Sequence, residues 1–449
     1  MKLIDDLWFK RRDLISDGFD ESLEYISKII PMKIHQFRTG MKCWTWKIPK
    51  KWTVNEGWIK DSNGKLLLHS KDHPLHIPTY SQSVDKTIPH DELMKHLMYN
   101  EKQPNTIPYH ERLIYSKDWG FSLQYSKLEN FKSKEYHIHI DAKFEDGFLK
   151  VGEIIIPGKV DESVVVVAHL DHPCMVNDDL SGVAGLVELA KKLINKKNYY
   201  TYRLFLLPET IGSISFLSQN EEFIDKVKCG IFFEMLGNNA DLILQHSKQK
   251  DTEIDTISSL IFKKNLATYK KLPFIGMMAN DEQVWNGPGV NIPMISIGRG
   301  LYPEYHTSDD TPRIVNDSNI MNAVEIVFKI LERLDKEHIS KQVTNEPRDE
   351  KASRLKQKNH DQNIDDYIPK RLFKGPVFLS GYGLYPNKKR NLYDNLSDDA
   401  CKVRLLFNYF EGDNSISEIS RILDWDFDKT LSWTNRFLEK GLIEKIEIK

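Results

Sequence analysis

Nothing in this sequence is apolar for long enough to cross a bilayer. Its apolar runs, such as residues 163–170, have the length of a strand, far short of the about 20 residues a membrane helix needs. Residues 1–30 mix apolar positions with Asp5, Asp6, Lys10, Arg11, Arg12 and Asp13, so the uninterrupted apolar stretch of a secretory signal is missing. Cysteine is scarce. Cys43, Cys174, Cys229 and Cys401 are scattered, with no pair at the spacing of a metal knuckle or a redox motif. Neither sign of charge dominates: 63 Lys and Arg face 65 Asp and Glu, for a net charge of −2, and no global basic field is available to hold nucleic acid or an anionic membrane. No repeat of fixed period is visible. These absences predict a soluble cytoplasmic protein without a membrane partner.

What is present suffices for a large core. The chain has 449 residues, 40% of them hydrophobic and 29% charged, which is too long for one ordinary core and predicts two or three domains. From about residue 147 to 341, buried strands alternate with amphipathic helices. Strands are expected at 149–156, 163–170, 203–207, 230–235, 242–245 and 294–297. Helical spacing places Val183, Leu186, Val187, Ala190, Leu193 and Ile194 on one face, and Ile320, Ala323, Val324, Val327 and Leu331 on another. Such alternation predicts an α/β fold, a mostly parallel sheet sandwiched by helices, with functional groups gathered outside the carboxyl ends of the strands.

Around this core, residues 1–45 read as a helical part of the same domain. Residues 46–146, richer in aromatic and strand-forming residues, read as a β-rich inserted lobe, with Asn63-Gly64 and Asp146-Gly147 as hairpin signals. Residues 342–363 are a polar linker. Residues 364–449 then give three short helices and a terminal strand, the pattern of a winged-helix domain.

The chemistry resides in where the acids and histidines fall. His169 follows the valine run at 164–167. Asp178 lies in Asn177-Asp178-Asp179-Leu180-Ser181-Gly182, a turn running into a helix. Glu209 and Glu234 each close a strand, and His306 sits in Tyr305-His306-Thr307-Ser308-Asp309-Asp310 shortly after another. Taken singly, each has a plain structural reading, and Asp178 and Asp179 could simply cap a helix. Together they put five candidate groups at one edge of one sheet, and imidazoles with carboxylates suit zinc.

These segments resemble the zinc aminopeptidase family that includes secreted bacterial leucyl aminopeptidases, glutamate carboxypeptidase and glutaminyl cyclase. His169-Leu170-Asp171 resembles its His-x-Asp motif. Asp178-Asp179-Leu180-Ser181-Gly182-Val183-Ala184, Glu234-Met235-Leu236-Gly237 and His306-Thr307-Ser308-Asp309-Asp310 resemble three further motifs in the same order, and the C-terminal pattern resembles a bacterial subgroup. The resemblance implies one or two zinc ions per chain. His169 and Glu234 would hold one metal, His306 a second, and Asp178 would bridge them. Asp171 would accept the other ring N–H of His169, and Glu209 would be the general base acting on metal-bound water. One departure stands out. The family pairs two acids in tandem, base then ligand, whereas here the pair is Glu209-Thr210, so either His172 or Glu304 replaces the missing carboxylate or the second metal is weak or absent.

Weaker candidates surround this set. His172 and Asp281 could contact substrate, and Arg299 could clamp a substrate carboxylate. His137 and His139 share one face of a strand and read as an ordinary exposed face. Cys174 lacks a partner base for nucleophilic work. The expected function is a zinc-dependent aminopeptidase acting on a peptide or small amide. The alternatives are a deacylase on a non-peptide amide, a ligand-sensing DNA-binding regulator with a degenerate hydrolase domain, and a scaffold. Lys429, Arg436 and Lys440 against Asp428 and Glu439 on the third C-terminal helix are too balanced for phosphate contacts. DNA is therefore the weaker partner, and packing or homo-oligomerisation the stronger role for that domain.

Overall fold

The structure is a computed structural model and describes residues 1–110, 114, 117–277, 279–343, 365–385 and 398–448. Its centre is an eight-stranded sheet. The strands in chain order are β1 (Lys33–Arg38), β2 (Phe148–Ile156), β3 (Ser163–His169), β4 (Thr201–Leu207), β5 (Val227–Glu234), β6 (Ile243–Gln245), β7 (Lys270–Leu272) and β8 (Met294–Gly298). They lie side by side as β1-β2-β4-β3-β5-β8-β6-β7. The β4-β3-β5-β8 centre is parallel, whereas β1-β2, β2-β4 and β8-β6 pair antiparallel, so the sheet is mixed.

The apolar runs fix this centre. β3 is buried at every position, as expected of a strand covered on both faces, and its β-branched valines fit the pleat. Alternation sends Val164, Val166 and Ala168 to one face and Val165 and Val167 to the other. Helices α1 (Asp17–Ile29), α2 (Leu180–Ile194), α4 (Glu253–Asn265) and α5 (Asp317–Val343) cover the first face. Helix α3 (Ile211–Gln219), with Val284 and Trp285, covers the second. Local signals start these helices. Ser16 accepts from Phe19 N, Asp179 accepts from Gly182 N, and Thr252 with Asp255 forms a capping box. Among the described residues no helix is long and apolar enough to cross a membrane.

A four-stranded antiparallel sheet, Leu66–His69, Lys51–Asp61, Glu135–Glu145 and Val84–Pro89 in spatial order, precedes β2 and encloses its own apolar core. Asn63-Gly64 turns between two paired strands, with Gly64 at φ +81°. Asp146-Gly147 does not make a hairpin. Glu135–Glu145 belongs to the lobe sheet and Phe148–Ile156 to the central one, and Gly147 is tied by two hydrogen bonds to Thr39 instead. The same dipeptide serves either connection, because it supplies only local backbone freedom.

Most of the expected 342–363 linker lies outside the described residues; its first two positions are still helical in α5. Beyond it, helices Asp398–Leu406, Ile416–Ile422 and Phe427–Glu439 pack around Leu406, Phe410, Ile419 and Phe437, and Ile443–Ile446 pairs antiparallel with Ile368–Arg371. This part docks on the second face of the main unit. Gly375 N donates to Pro288 O, Trp46 Nε1 to Pro376 O, and Glu411 accepts from both Gly289 N and Arg371.

Candidate metal centre

Three strand ends and two loops converge at the carboxyl edge of β3, β4 and β5. His169 ends β3, Glu209 follows β4 and Glu234 ends β5. Asp178 sits two residues before α2, and His306 comes from the loop after β8. The side chains of His169, His172, Asp178 and Glu234 are at most 2% exposed, and His306 is 11% exposed.

Asp178 is the hub. Its Oδ1 lies 3.2 Å from His169 Nε2, and its Oδ2 lies 3.2 Å from His172 Nδ1 and 2.9 Å from His306 Nε2. Glu234 Oε1 is 3.9 Å from His169 Nε2. Two ligand atoms about 2.0–2.1 Å from a tetrahedral zinc lie roughly 3.3 Å apart, so these separations fit shared coordination. Both Asp178 oxygens and His169 Nε2 are buried without a hydrogen-bond partner among the described residues, a state that native interiors avoid. Three groups of potential ligands result: His169, Asp171 and His172; His169, Asp178 and Glu234; and His172, Asp178 and His306. The residues fit a metal of the zinc type.

The electrostatics agree. Burial pushes Glu234, Asp281 and Asp310 up to about 7, and raises Asp179 and Glu282 well above the carboxylate range. Asp178 is also opposed by burial, yet His172, His169 and His306 hold it well below that range. His169 is raised despite its burial by Asp171, Asp178 and Glu234. More buried acid is gathered here than three imidazoles can balance, which is the environment a divalent cation relieves.

A second layer of acids grips the backbone. Asp310 accepts from Asn177 N (2.7 Å), Asp178 N (3.2 Å) and the Tyr302 hydroxyl (2.6 Å). Asp179 accepts from Gly182 N and Met235 N. Asp171 Oδ1 accepts from Glu209 N at 2.8 Å while standing 3.4 Å from His169 Nδ1. Asn280 Nδ2 donates to both oxygens of Glu234, at 3.1 and 3.2 Å. The loops themselves are strained: His172, Cys174, Thr210, Met235 and His306 all have φ between +53° and +78°. Such backbone persists where surrounding contacts over-determine it, as at functional sites. At Thr210, φ 61° and ψ −59° with Ile211 N donating to Glu209 O make a γ-turn that lifts Glu209 off the strand end.

Other expectations land elsewhere. Arg299 is no substrate clamp. Its guanidinium donates to the carbonyls of Leu236, Ala240 and Asn319, so it ties the loop after β5 to the start of α5. Asp281 is fully buried and holds Thr210 N and the Ser213 hydroxyl, which makes it a support of the Glu209 turn, out of reach of a substrate. His137 and His139 both face Asp85 on the lobe sheet, and among the described residues neither they nor Glu304 join a ligand group. Burial pushes the Cys174 thiol up to about 12, which keeps it protonated. One contributor gave no sequence signal. Tyr109, from the lobe, donates its N–H to His306 O at 2.8 Å and lays its ring 5.1–5.2 Å from His306 and His172, forming a wall over the centre.

Comparison with known proteins bears on all of this. Residues 1–337 match the family described as a domain of unknown function, DUF4910. A protein of Clostridium acetobutylicum, provisionally named as a polysaccharide biosynthesis protein with an aminopeptidase-like domain, is 32% identical over 331 residues, covering 73% of this chain and 76% of that one. A crystal structure from the same organism, provisionally described as a peptidase, superposes with a TM-score of 0.71 at 26% identity, covering 99% of this chain and 95% of the other. BSAP, a zinc aminopeptidase from Bacillus subtilis, gives a TM-score of 0.57 at 15% identity over 74% of this chain and 93% of its own. The fold is therefore that of the zinc aminopeptidases.

Proposed function

The chain belongs to the DUF4910 family, and on that premise we propose that it is a zinc-dependent hydrolase cleaving an amide bond, acting as an aminopeptidase on a peptide. The observation that carries this reading is Asp178, whose two buried oxygens each face imidazole nitrogen at ligand-like separation beside Glu234 and Glu209. His169, Asp178 and Glu234 would hold the zinc, which when bound would supply Lewis acidity to the scissile carbonyl and to water near neutral pH.

The chain's own residues do the rest. Glu209 accepts the proton of the attacking water and returns it to the departing amine nitrogen. Its side chain is 21% exposed, which leaves it within reach of the reacting groups. Burial opposes its ionisation, but the hydrogen bond from His172 Nε2 (3.0 Å) and the nearby imidazoles hold it below the usual glutamate range, so it is an available base at neutral pH. Asp171 and Asp281, accepting from Glu209 N and Thr210 N, keep the carboxylate in register. Tyr109 and the Pro108–Thr307 bridge close one side, which excludes bulk water and favours small or unfolded substrates.

A second reading, hydrolysis of a non-peptide amide, is favoured by the name of the C. acetobutylicum relative, which refers to polysaccharide biosynthesis. A DNA-reading role for the C-terminal helices finds less support. Lys429 is paired with Asp399, Arg436 stacks on Trp433, and Phe437 is in the core. A packing role fits better.

The test is elemental mass spectrometry of the purified chain together with turnover of aminoacyl anilides and N-acyl amino sugars. Retained zinc with chelator-sensitive release of an aminoacyl product is expected. Glu209→Gln should retain the metal and lose about 10²–10⁴-fold in kcat. Wild-type rates in that variant would remove Glu209 from the role of base.

A further inference from the structure

We infer that His172 is a metal ligand, and that with Asp178 Oδ2 and His306 it builds a second metal position distinct from the one formed by His169, Asp178 Oδ1 and Glu234. This rests on the metallohydrolase reading above and adds to it the donor set that Glu209-Thr210 leaves incomplete.

Three observations carry the assignment. First, Asp178 divides its oxygens. Oδ1 faces His169 Nε2 at 3.2 Å, while Oδ2 faces His172 Nδ1 at 3.2 Å and His306 Nε2 at 2.9 Å. A carboxylate that offers one oxygen to each of two imidazole sets is arranged to bridge two ions. His172, Asp178 and His306 offer ligand atoms all within 4.8 Å of one another.

Second, the other ring nitrogen of His172 is already engaged as ligand chemistry demands. Nε2 lies 3.0 Å from Glu209 Oε2. With Nδ1 turned to the metal, the ring must carry its proton on Nε2 and donate it to that carboxylate, the outer hydrogen bond that ligating histidines almost always make. His172 therefore links the second position to the general base, and is a positioning residue for Glu209 as well as a ligand.

Third, the backbone holds this orientation against its own preference. His172 has φ +78°, which an L residue with a side chain rarely adopts. Arg12, buried to 0% exposure, anchors both flanks of the turn by donating to Leu170 O at 2.9 Å and Met175 O at 2.8 Å.

The donor set predicts the metal's character. The second position has two neutral imidazoles and shares one carboxylate, so it carries less negative charge than the first, which adds Glu234. It should fill after the first, be stripped before it, and prefer zinc or cobalt to manganese or magnesium.

The test is calorimetric titration of the chelator-stripped full chain with cobalt, followed in parallel by visible absorbance. Two cobalt ions per wild-type chain are expected, with His172→Ala binding one. His172→Cys should restore two and add a thiolate-to-cobalt charge-transfer band absent from wild type, which guards against a folding defect in the alanine variant. Two ions bound to His172→Ala, or two bound to His172→Cys without the new band, would overturn the assignment. One ion in both wild type and His172→Ala would overturn it while leaving a one-metal hydrolase standing. No ion in wild type would remove both.

Discussion

Arg12 is the place to perturb the frame around the centre without touching a ligand. Its guanidinium is fully buried, yet among the described residues it meets no carboxylate at ion-pair distance. It donates instead to four carbonyls: Leu7 at 2.7 Å, Trp8 at 3.3 Å, Leu170 at 2.9 Å and Met175 at 2.8 Å. Arg12→Met keeps most of the volume and removes every donor. Each buried carbonyl left unsatisfied costs about 1–3 kcal/mol. Against this stands the relief of an expensive burial, which pulls the guanidinium itself down to about 10. With several carbonyls left unsatisfied at once, the net should still be a loss of about 3 kcal/mol or more. For a cooperative unit of more than 300 residues, unfolding with about 2 cal/mol/K per residue, that is a fall of roughly 3–5 °C in Tm. Lysine should rescue little, since one ammonium cannot reach all four carbonyls. The position of the carbonyls makes a sharper claim. Leu170 and Met175 flank Asp171 and His172, so the second metal position should weaken more than the first. Calorimetric thermal scans with two-metal titrations of Arg12→Met would read both effects. A Tm within about 2 °C of wild type, or equal weakening of both metals, would refute the argument that Arg12 holds this turn.

Asn280→Ala removes the amide that grips both Glu234 oxygens. The first metal position should lose about 10–100-fold in affinity, measured by competition with a chromogenic chelator, and an unchanged affinity would show that Glu234 needs no such hold. Gly158→Ala is the converse perturbation, in a loop after β2 away from the ligand-bearing strand ends. An added Cβ would stand 2.1 Å from Tyr200 O and 2.3 Å from its carbonyl carbon, so backbone must move. Stability should fall by roughly 1–3 kcal/mol with metal affinity intact in the folded fraction, read by urea denaturation and the same competition assay. A loss of metal affinity there would mean that the two ends of the sheet are mechanically coupled.

Legibility in the sequence follows the range of each signal. The strands at the centre were readable because their apolar runs are continuous, and the groups that close them, His169, Glu209 and Glu234, inherit their places from strand ends. The motif around Asp178 was readable because a cap and an apolar helix follow it at once. His172 was visible only as a neighbour. Strand periodicity stops at His169, and nothing local announces that φ turns positive three residues later and folds the ring back toward Asp178. Arg299 failed for a related reason. An arginine just past a strand looks the same whether it faces solvent or three carbonyls, and only the tertiary course of the loops after β5 decides. Tyr109 lay beyond any such reading, since it is separated from His306 by nearly the whole central unit and brought there by the lobe.

The placement of acids explains why the centre tolerates so much strained backbone. Asp171, Asp179, Asp281 and Asp310 each accept from main-chain N–H groups of the loops that carry the candidate ligands. Those donors are the ones a left-handed turn at a strand end leaves without a ladder partner. The acids thus do two jobs at once. They satisfy backbone that the turns orphan, and Asp171, 3.4 Å from His169 Nδ1, also strengthens that imidazole as a ligand. A framework built from neutral amides could do the first job and not the second. Carboxylates do both, but only with a cation nearby to relieve their mutual repulsion in a buried setting. On this argument metal and loop conformation stabilise one another. The strained turns would hold the ligands in place, and a bound ion would make it tolerable to bury the acids that hold the turns.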